Sequence, residues 1–452
     1  MFIFIFLSKM LNYVVLFLIQ IRQKIFSSHT WILRDFLYSE PVCAHYPHCS
    51  EYGKICFERY TFLPALKYTM TRISNCKPSN TIKYDPPFYK VVFFSSSPIW
   101  VPFLKKIIED DRFDLVWVVT MPDAPSGRGQ KLKENIIWKE LKWELDWFQV
   151  VKNYEDGMNE IEDLEVDWKK VKLFKPKKIK NNKIFEEELK KLDPDYFVVI
   201  SYGKILPQNI LDIPKFGPIN IHGSILPKYR GASPIQSVFL NKEKETGISL
   251  MYMNEKMDEG DVIKILKFPL TKQDNAKTVI DKFVAKWPNF VADVLWDFGK
   301  WNLKRNSQDH SQATYCGKFT KQDGQISFQN ETAEDIYAKF QAFYLWPGIY
   351  TYWNWKLIKF TDIEYQNDKS HAELVSASTK ENSKIDPEIN LGLQLLDESL
   401  ESGKVIFEDW VLKIWTKKWI IVVKKLKPEW KKELTASEFV NGYNDFVWTK
   451  LS

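Results

Sequence analysis

Asn220 and His222 stand two residues apart in GPINIHGSILPKYRGASPIQ, residues 217–236. Alternate residues of a strand share a face, so these two side chains project together. An Asn amide can donate to an oxyanion as it develops, and a His can give or take a proton near neutral pH. A carboxylate that holds the His would complete the set. MNEKMDEGDVI, residues 253–263, supplies Asp258 and Asp261 after the strand-like run GISLMYM, and spacing alone leaves both open. The plainer alternative is that Asn220 and His222 satisfy backbone groups at a strand end.

The elements around these residues follow from apolar runs bounded by turns. Strands are expected at 90–95, 115–120, 196–201 and 218–222, and helices at about 101–110, 183–192 and 234–241. This alternation predicts an α/β fold, a doubly wound and mostly parallel sheet covered on both faces. Such sheets bind ligands beyond the carboxyl ends of their strands, which is where Asn220 and His222 lead. Beyond residue 314 the strand signals shorten, in GIYTYW, KLIKFTDI, GKVIFED, VLKIW and IIVVKKL. Strands of that spacing predict a small β-barrel of the OB-like class. The expected organisation is a front segment at 1–87, a catalytic domain at 88–295, a polar linker at 296–313 and the barrel at 314–452. Residues 365–390, poor in large apolar side chains, read as a loop insertion.

A chain of 452 residues is too long for one ordinary domain, and its 45% hydrophobic and 27% charged residues are those of a globular protein. Five cysteines exclude a disulfide scaffold and point to a reduced, intracellular setting. A net charge of +6 permits a nucleic-acid partner without arguing for one. More specific is the stretch from Lys413 to Lys432, with eight lysines and a single acid, Glu429. It is either a contact surface for a phosphate backbone or an ordinary solvated barrel face.

NIHGSILPKYRGASPIQ followed by ETGISLMYMNEKMDEGDVI resembles the formyltransferases that use 10-formyltetrahydrofolate. Further runs agree: VVTMPDAPSGRGQKL, DPDYFVVISYGKILPQNIL, ATYCGKF, AFYLWPGIY and KKLKPEWKKELTASEFVNGY. The resemblance covers about residues 89–452 and is nearest to the branch of the family that acts on charged initiator tRNA. It implies that Asn220, His222 and Asp258 are the catalytic trio, with Asp258 rather than Asp261 in the acidic position. It also implies that Ser224, Ile225, Leu226 and Pro227 form the folate-binding loop. Arg128 and Lys131, in SGRGQK, fall where the family meets the tRNA acceptor end. The implied partners are 10-formyltetrahydrofolate as formyl donor and initiator methionyl-tRNA as acceptor, with no metal. The weaker alternatives are a formyltransferase of small amines and a membrane-biogenesis accessory whose enzyme portion is inactive.

The front is different in kind. MFIFIFLSKMLNYVVLFLIQ, residues 1–20, lacks the positive start and small-residue cleavage site of a signal peptide. It reads as a helix on or in a membrane, or else as a buried core helix. One helix is expected from Ser50 to about Ser74. CAHYPHCSEYG, with YDPP after Cys76, resembles the membrane protein insertion efficiency factor family over about residues 10–87. That likeness implies a cytoplasmic chain lying peripherally on the inner face of the cell membrane. Cys43, Cys49 and Cys76 fall on the family's cysteine positions, with no chemistry to assign. Cys43, His45, His48 and Cys49 are close enough to suggest metal ligands, but the spacing is not that of a usual zinc site. Two proteins are thus joined end to end, by true fusion or by a frameshift between neighbouring genes.

Seventeen glycines are about half the usual share, and tryptophans number 18. Trp117, Trp287, Trp301, Trp355, Trp419 and Trp430 stand where the formyltransferase pattern carries glycine. Asn354-Trp355 lies between two strand runs, where Asn-Gly is the expected hairpin turn. Both oddities are explained together if the source organism reads as glycine a codon rendered here as tryptophan.

Overall fold

The computed structural model describes residues 2–26, 45–76, 83–97, 100–122, 124–126, 131–133, 148–156, 159–166, 169–301, 303–366 and 402–451. The chain divides into two compact units: Met1–Ile219 with Pro288–Lys304, and Asn220–Trp287 with Arg305–Ser452.

The first unit opens on helix α1 (Phe2–Phe26), whose Val15, Leu16 and Ile19 pack against Tyr52, Cys56, Phe57 and Ala65. The Asn12 amide, buried in this contact, donates to the carbonyls of Phe57 at 2.9 Å and Tyr60 at 2.8 Å. Tyr13 and Phe17 of the same helix stay 73% and 62% exposed, so α1 is core on one face and bare on another. The single helix expected from Ser50 is two, α2 (Cys49–Arg59) and α3 (Phe62–Ser74). Pro64 explains the break: its ring would clash with the carbonyl of Tyr60, so the chain turns extended at Thr61 before restarting. Strands β1 (His45–Tyr46) and β2 (Lys83–Tyr84) pair in parallel.

Arg59, Tyr60 and Tyr84 fasten this front segment to the rest of the first unit. Arg59 pairs with Asp114 at 2.8 Å and lies 3.9 Å from the centre of the Phe88 ring. The hydroxyl of Tyr60 donates to the Asp111 carbonyl, and that of Tyr84 to the buried Asp195, each at 2.8 Å.

Strands β3 (Tyr89–Ser95) and β4 (Phe113–Val119) come next, separated by helix α4 (Val101–Glu109). Two short strands, β5 (Ala124–Ser126) and β6 (Lys131–Lys133), form a hairpin-like pair. Then come β7 (Phe148–Asp156), β8 (Asn159–Val166), β9 (Lys169–Pro176), helix α5 (Lys183–Leu192) and β10 (Tyr196–Ile200). The order is β10-β3-β4-β9-β8-β7, parallel from β10 to β9 and antiparallel beyond. Every residue of β10, YFVVI, is buried, as a strand covered on both faces requires. The apolar runs did not predict the antiparallel extension. The sequences of β7 and β8 are rich in charged residues and lack a clean apolar alternation, and the backbone register sets Glu160 opposite Lys175, Asp163 opposite Lys172 and Glu165 opposite Lys170.

Strand β11 (Gly217–His222) carries the chain into the second unit, and with it Asn220 and His222. There β12 (Arg230–Gly231), helix α6 (Pro234–Leu240), β13 (Glu245–Tyr252) and β14 (Val262–Pro269) succeed one another, with β13 beside β11 and β14 antiparallel to β13. Helix α7 (Ala276–Trp301) passes through Pro288, where the division falls. Strand β15 (Tyr315–Cys316) returns to pair with β12. After helix α8 (Ala333–Ala342) come β16 (Ile349–Trp353), β17 (Lys356–Gln366), β18 (Val405–Glu408), β19 (Val411–Trp415), β20 (Ile420–Pro428) and β21 (Leu434–Thr435). They form one antiparallel sheet in the order β16-β17-β20-β19-β18, with β21 on β20, where the short strand runs predicted a small OB-like β-barrel.

Among the suspect tryptophans, Trp117 is buried on β4 and stacked 4.9 Å from Phe174, and Trp287 is buried in α7, 4.3 Å from Phe283. Trp301 ends α7. Trp355, Trp419 and Trp430 have φ of 64°, 74° and 62°, in the left-handed region that tryptophan rarely enters.

Candidate active site

His222 sits at the carboxyl end of β11 and is 6% exposed. Its Nε2 lies 2.8 Å from the carbonyl oxygen of Tyr229. A carbonyl only accepts, so Nε2 carries the proton and, in the neutral ring, Nδ1 is the free base. Nδ1 faces Asp258 Oδ2 at 3.6 Å, too far for a hydrogen bond and close enough to stabilise a charge. The Asn220 amide donates to the other oxygen, Asp258 Oδ1, at 3.2 Å, and the Gly231 N–H donates to Oδ2 at 2.8 Å. Asp261 does not join: its carboxylate accepts from the Ser307 hydroxyl at 3.0 Å.

Both acceptors that face His222 come from non-glycine residues in the left-handed region, Tyr229 at φ 60° and Asp258 at φ 54°. Such conformations are uncommon and persist where neighbours impose them. Two glycines let the neighbours close in. A Cβ at Gly231 would stand 2.1 Å from the Cys316 carbonyl oxygen, and one at Gly260 would stand 1.7 Å from that of Tyr252. Burial pushes the Tyr229 phenol well above its ordinary range, and its bond to Glu243 at 2.8 Å pushes further. The phenol therefore stays a donor. Burial likewise raises the Cys316 thiol, which donates to the Arg230 carbonyl at 3.3 Å.

Residues 89–295 match the formyl transferase family and residues 318–444 its C-terminal domain. The chain is 33% identical to the methionyl-tRNA formyltransferase of Caldicellulosiruptor saccharolyticus over 356 residues, 78% of this chain and 96% of the relative. It is 33% identical to that of a Sulfurihydrogenibium species over 296 residues, 65% of this chain and 86% of the relative. The chain belongs to the formyltransferase family. Residues 11–87 match the membrane protein insertion efficiency factor family. Among solved structures, HypX from Aquifex aeolicus in complex with tetrahydrofolic acid resembles it with a TM-score of 0.46 and 12% identity, over 80% of this chain and 50% of that one.

In this formyltransferase the segment Ser224–Pro227 comes directly after the strand that bears Asn220 and His222. Ser224 is fully buried and donates from its hydroxyl to the Lys228 carbonyl at 2.6 Å, closing the turn. Ser249 of β13 accepts from the Leu226 N–H at 3.0 Å and donates to the Ser224 carbonyl at 2.7 Å. Leu226 and Pro227, with Val262, Ile265 and Gln308, line a cavity of about 440 Å³. Ile225 is half-buried at the bend. Lys131 opens β6, opposite Ser126. Arg128 and Cys43 lie outside the described residues.

Three residues that the sequence left unmarked surround the trio. Tyr229 acts through a backbone carbonyl, which carries no side-chain signal. Arg230, fully buried, donates to Gln308 Oε1 from Nε at 3.2 Å and from Nη2 at 2.9 Å. Gln308 comes from the polar stretch expected to be a linker. The one available clue was an Arg-Gly pair closing a constrained loop.

Proposed function

We propose that this formyltransferase transfers the formyl group of 10-formyltetrahydrofolate to the amino group of initiator methionyl-tRNA, and that Asn220, His222 and Asp258 carry the step. The observation that supports this most directly is the environment of His222: a fixed proton on Nε2 and a basic Nδ1 beside a carboxylate. The amine nitrogen attacks the formyl carbon, a C–N bond forms, and the carbonyl electrons move onto oxygen. The Asn220 amide has a second N–H for that oxyanion. His222 Nδ1 takes the proton from the attacking nitrogen, and Asp258 stabilises the resulting imidazolium. On collapse the bond to the donor nitrogen breaks, and Nδ1–H returns its proton to that nitrogen. No serine or cysteine nucleophile is needed, because the acceptor supplies its own.

The cavity beside Leu226 and Pro227 suits part of a folate-sized donor. Charge suits the acceptor: seven of the eight lysines from 413 to 432 are exposed, among them Lys424, Lys425 and Lys427 on β20. Contacts of this kind weaken steeply with salt. Formyl transfer to charged initiator tRNA, assayed with and without His222→Ala, tests the reading. Turnover should fall about 10³-fold in the variant, with the melting temperature little changed. Transfer to a free amine but not to the tRNA would overturn the acceptor, and full activity in His222→Ala would overturn the mechanism.

For the front segment we propose a peripheral role at the membrane in protein insertion. Its support is the match of residues 11–87 and the exposed apolar face of α1, with Met10, Tyr13, Val14, Phe17 and Leu18. Among the described residues no helix is long and apolar enough to cross a membrane. Flotation of the full chain with anionic lipid vesicles should be lost in Phe17→Glu, and flotation unaffected by that change would refute this face as the anchor.

A further inference from the structure

The stretch from 306 to 316 does more than join two domains. Left-handed φ at Tyr229 and Asp258 costs each about 1 kcal/mol or more, so something must impose it. At Asp258 that something is the Gln308 side chain. Its amide nitrogen donates to the Asp258 carbonyl at 2.9 Å and to the Gly260 carbonyl at 2.6 Å. Its amide oxygen accepts twice from Arg230, whose Nη1 also donates to the Tyr315 hydroxyl at 3.1 Å and whose Nη2 lies 3.1 Å from His310 Nδ1. At Tyr229 the same stretch holds the backbone: the Tyr229 N–H donates to Thr314 Oγ1 and the Arg230 N–H to the Thr314 carbonyl, each at 2.8 Å. Both N–H groups and both lone pairs of Gln308 are used, and the residue is 8% exposed.

We propose that Gln308 is a positioning residue of the formyl-transfer site: its amide ties Asp258 into the conformation that aims the carboxylate at His222, and Arg230 holds that amide in place. This rests on the function proposed above only for its kinetic consequence. Gln308→Met keeps the length without a donor, and Gln308→Glu keeps the acceptor for Arg230 while losing the donor. In the full chain, both should let the amides of residues 253–262 exchange hydrogen about tenfold faster, with cooperative global unfolding retained and the melting temperature lowered by only a few degrees. Both should lower kcat by about 30- to 100-fold with KM for the charged tRNA within about twofold, the mark of a misaimed group rather than lost acceptor binding. Unchanged protection of 253–262 in both variants would overturn the proposal whatever the activity. Wild-type kcat in Gln308→Glu would overturn it too, since anchoring Arg230 would then suffice. A wild-type protein that transfers no formyl group would sink the functional reading, while the exchange measurement would still decide the clamp.

A second inference rests on separate observations. Among the described residues five tryptophans lie in the left-handed region, Trp355, Trp410, Trp419, Trp430 and Trp448, at φ 64°, 63°, 74°, 62° and 69°. Two of them close two-residue hairpins. Asn354-Trp355 joins β16 to β17 between the paired Trp353 and Lys356, and Asp409-Trp410 joins β18 to β19 between the paired Glu408 and Val411. Asn354 and Asp409 are left-handed as well, at 47° and 50°. Two left-handed residues in a two-residue loop make a type I′ turn, whose preferred sequences are Asn-Gly and Asp-Gly. We infer that the protein made by its own host carries glycine at these five positions. Trp117 and Trp287 differ from these five: their buried, stacked rings lie on ordinary strand and helix backbone. Fragment sequencing by mass spectrometry of the protein isolated from that host should read glycine at 355 and 410. Tryptophan at both would overturn the inference.

Discussion

Asp258 at φ 54° and Trp355 at φ 64° occupy the same left-handed region of backbone space, yet their surroundings differ in every other respect. Asp258 is held at four points: its carbonyl by Gln308, one carboxylate oxygen by Asn220, the other by the Gly231 N–H, and the whole facing His222. Trp355 sits at a hairpin tip with its ring 97% exposed. One conformation is imposed by a network of converging side chains; the other is imposed by the turn alone, on a residue poorly suited to it. On the mechanism proposed above, only the first of these two strained positions serves the reaction.

That contrast can be broken from either side. Asp258→Gly should relax the backbone and empty the site at once. Its expected signature is a fall in kcat of about 10³-fold with melting unchanged or slightly raised, because glycine accepts φ 54° freely. A protein that instead unfolds would mean the carboxylate serves the fold first. At the hairpins, Trp355→Gly with Trp410→Gly should stabilise the chain by about 2 kcal/mol together, after allowing for glycine's extra unfolded-state entropy, and leave kcat untouched. Denaturant unfolding of the wild type and the double variant reads this directly. A loss of stability would show that these rings pack usefully despite their exposure.

The sequence reveals one of these two regions better than the other, for physical reasons. Apolar runs such as YFVVI give away a buried parallel strand, and the Asn-x-His spacing at its neighbour's end puts two polar side chains on one face. Choosing Asp258 over Asp261 needed the family resemblance, since both lie in one short loop and only the fold shows which turns toward His222. Gln308 was invisible because it acts 50 residues away, from a stretch whose polarity reads as a linker. Strands β7 and β8 are not legible in the sequence because FQVVKNYED and NEIEDLEV mix charged and apolar residues without the period-two alternation that marks a strand. Trp410 and Trp448 escaped notice because composition counts tryptophans without saying which ones bend the wrong way.

Asp274 separates network from strain. Like Asp258 it gathers several donors: the Thr271 N–H and hydroxyl and the Thr278 hydroxyl, each at 2.9 Å, and the Lys282 ammonium. Unlike Asp258 it is not among the left-handed residues. Burial pushes its carboxyl up, but the bonds from Lys282, Thr271 and Thr278 outweigh this and bring it from 3.8 down to about 2. A depressed folded pKa means that the unfolded chain binds the proton first as the pH falls. The stabilisation is therefore whole above pH 4 and disappears between about pH 4 and 2, and Lys282's partial exposure limits it to about 1–2 kcal/mol. Asp274→Asn should cost that much at neutral pH and flatten the stability profile across the same window. If the variant's acid limb ran parallel to the wild type's, hydrogen bonds to a well-held carboxylate would be worth little in this unit. The clamp on Asp258 would then have to act by shape rather than by energy.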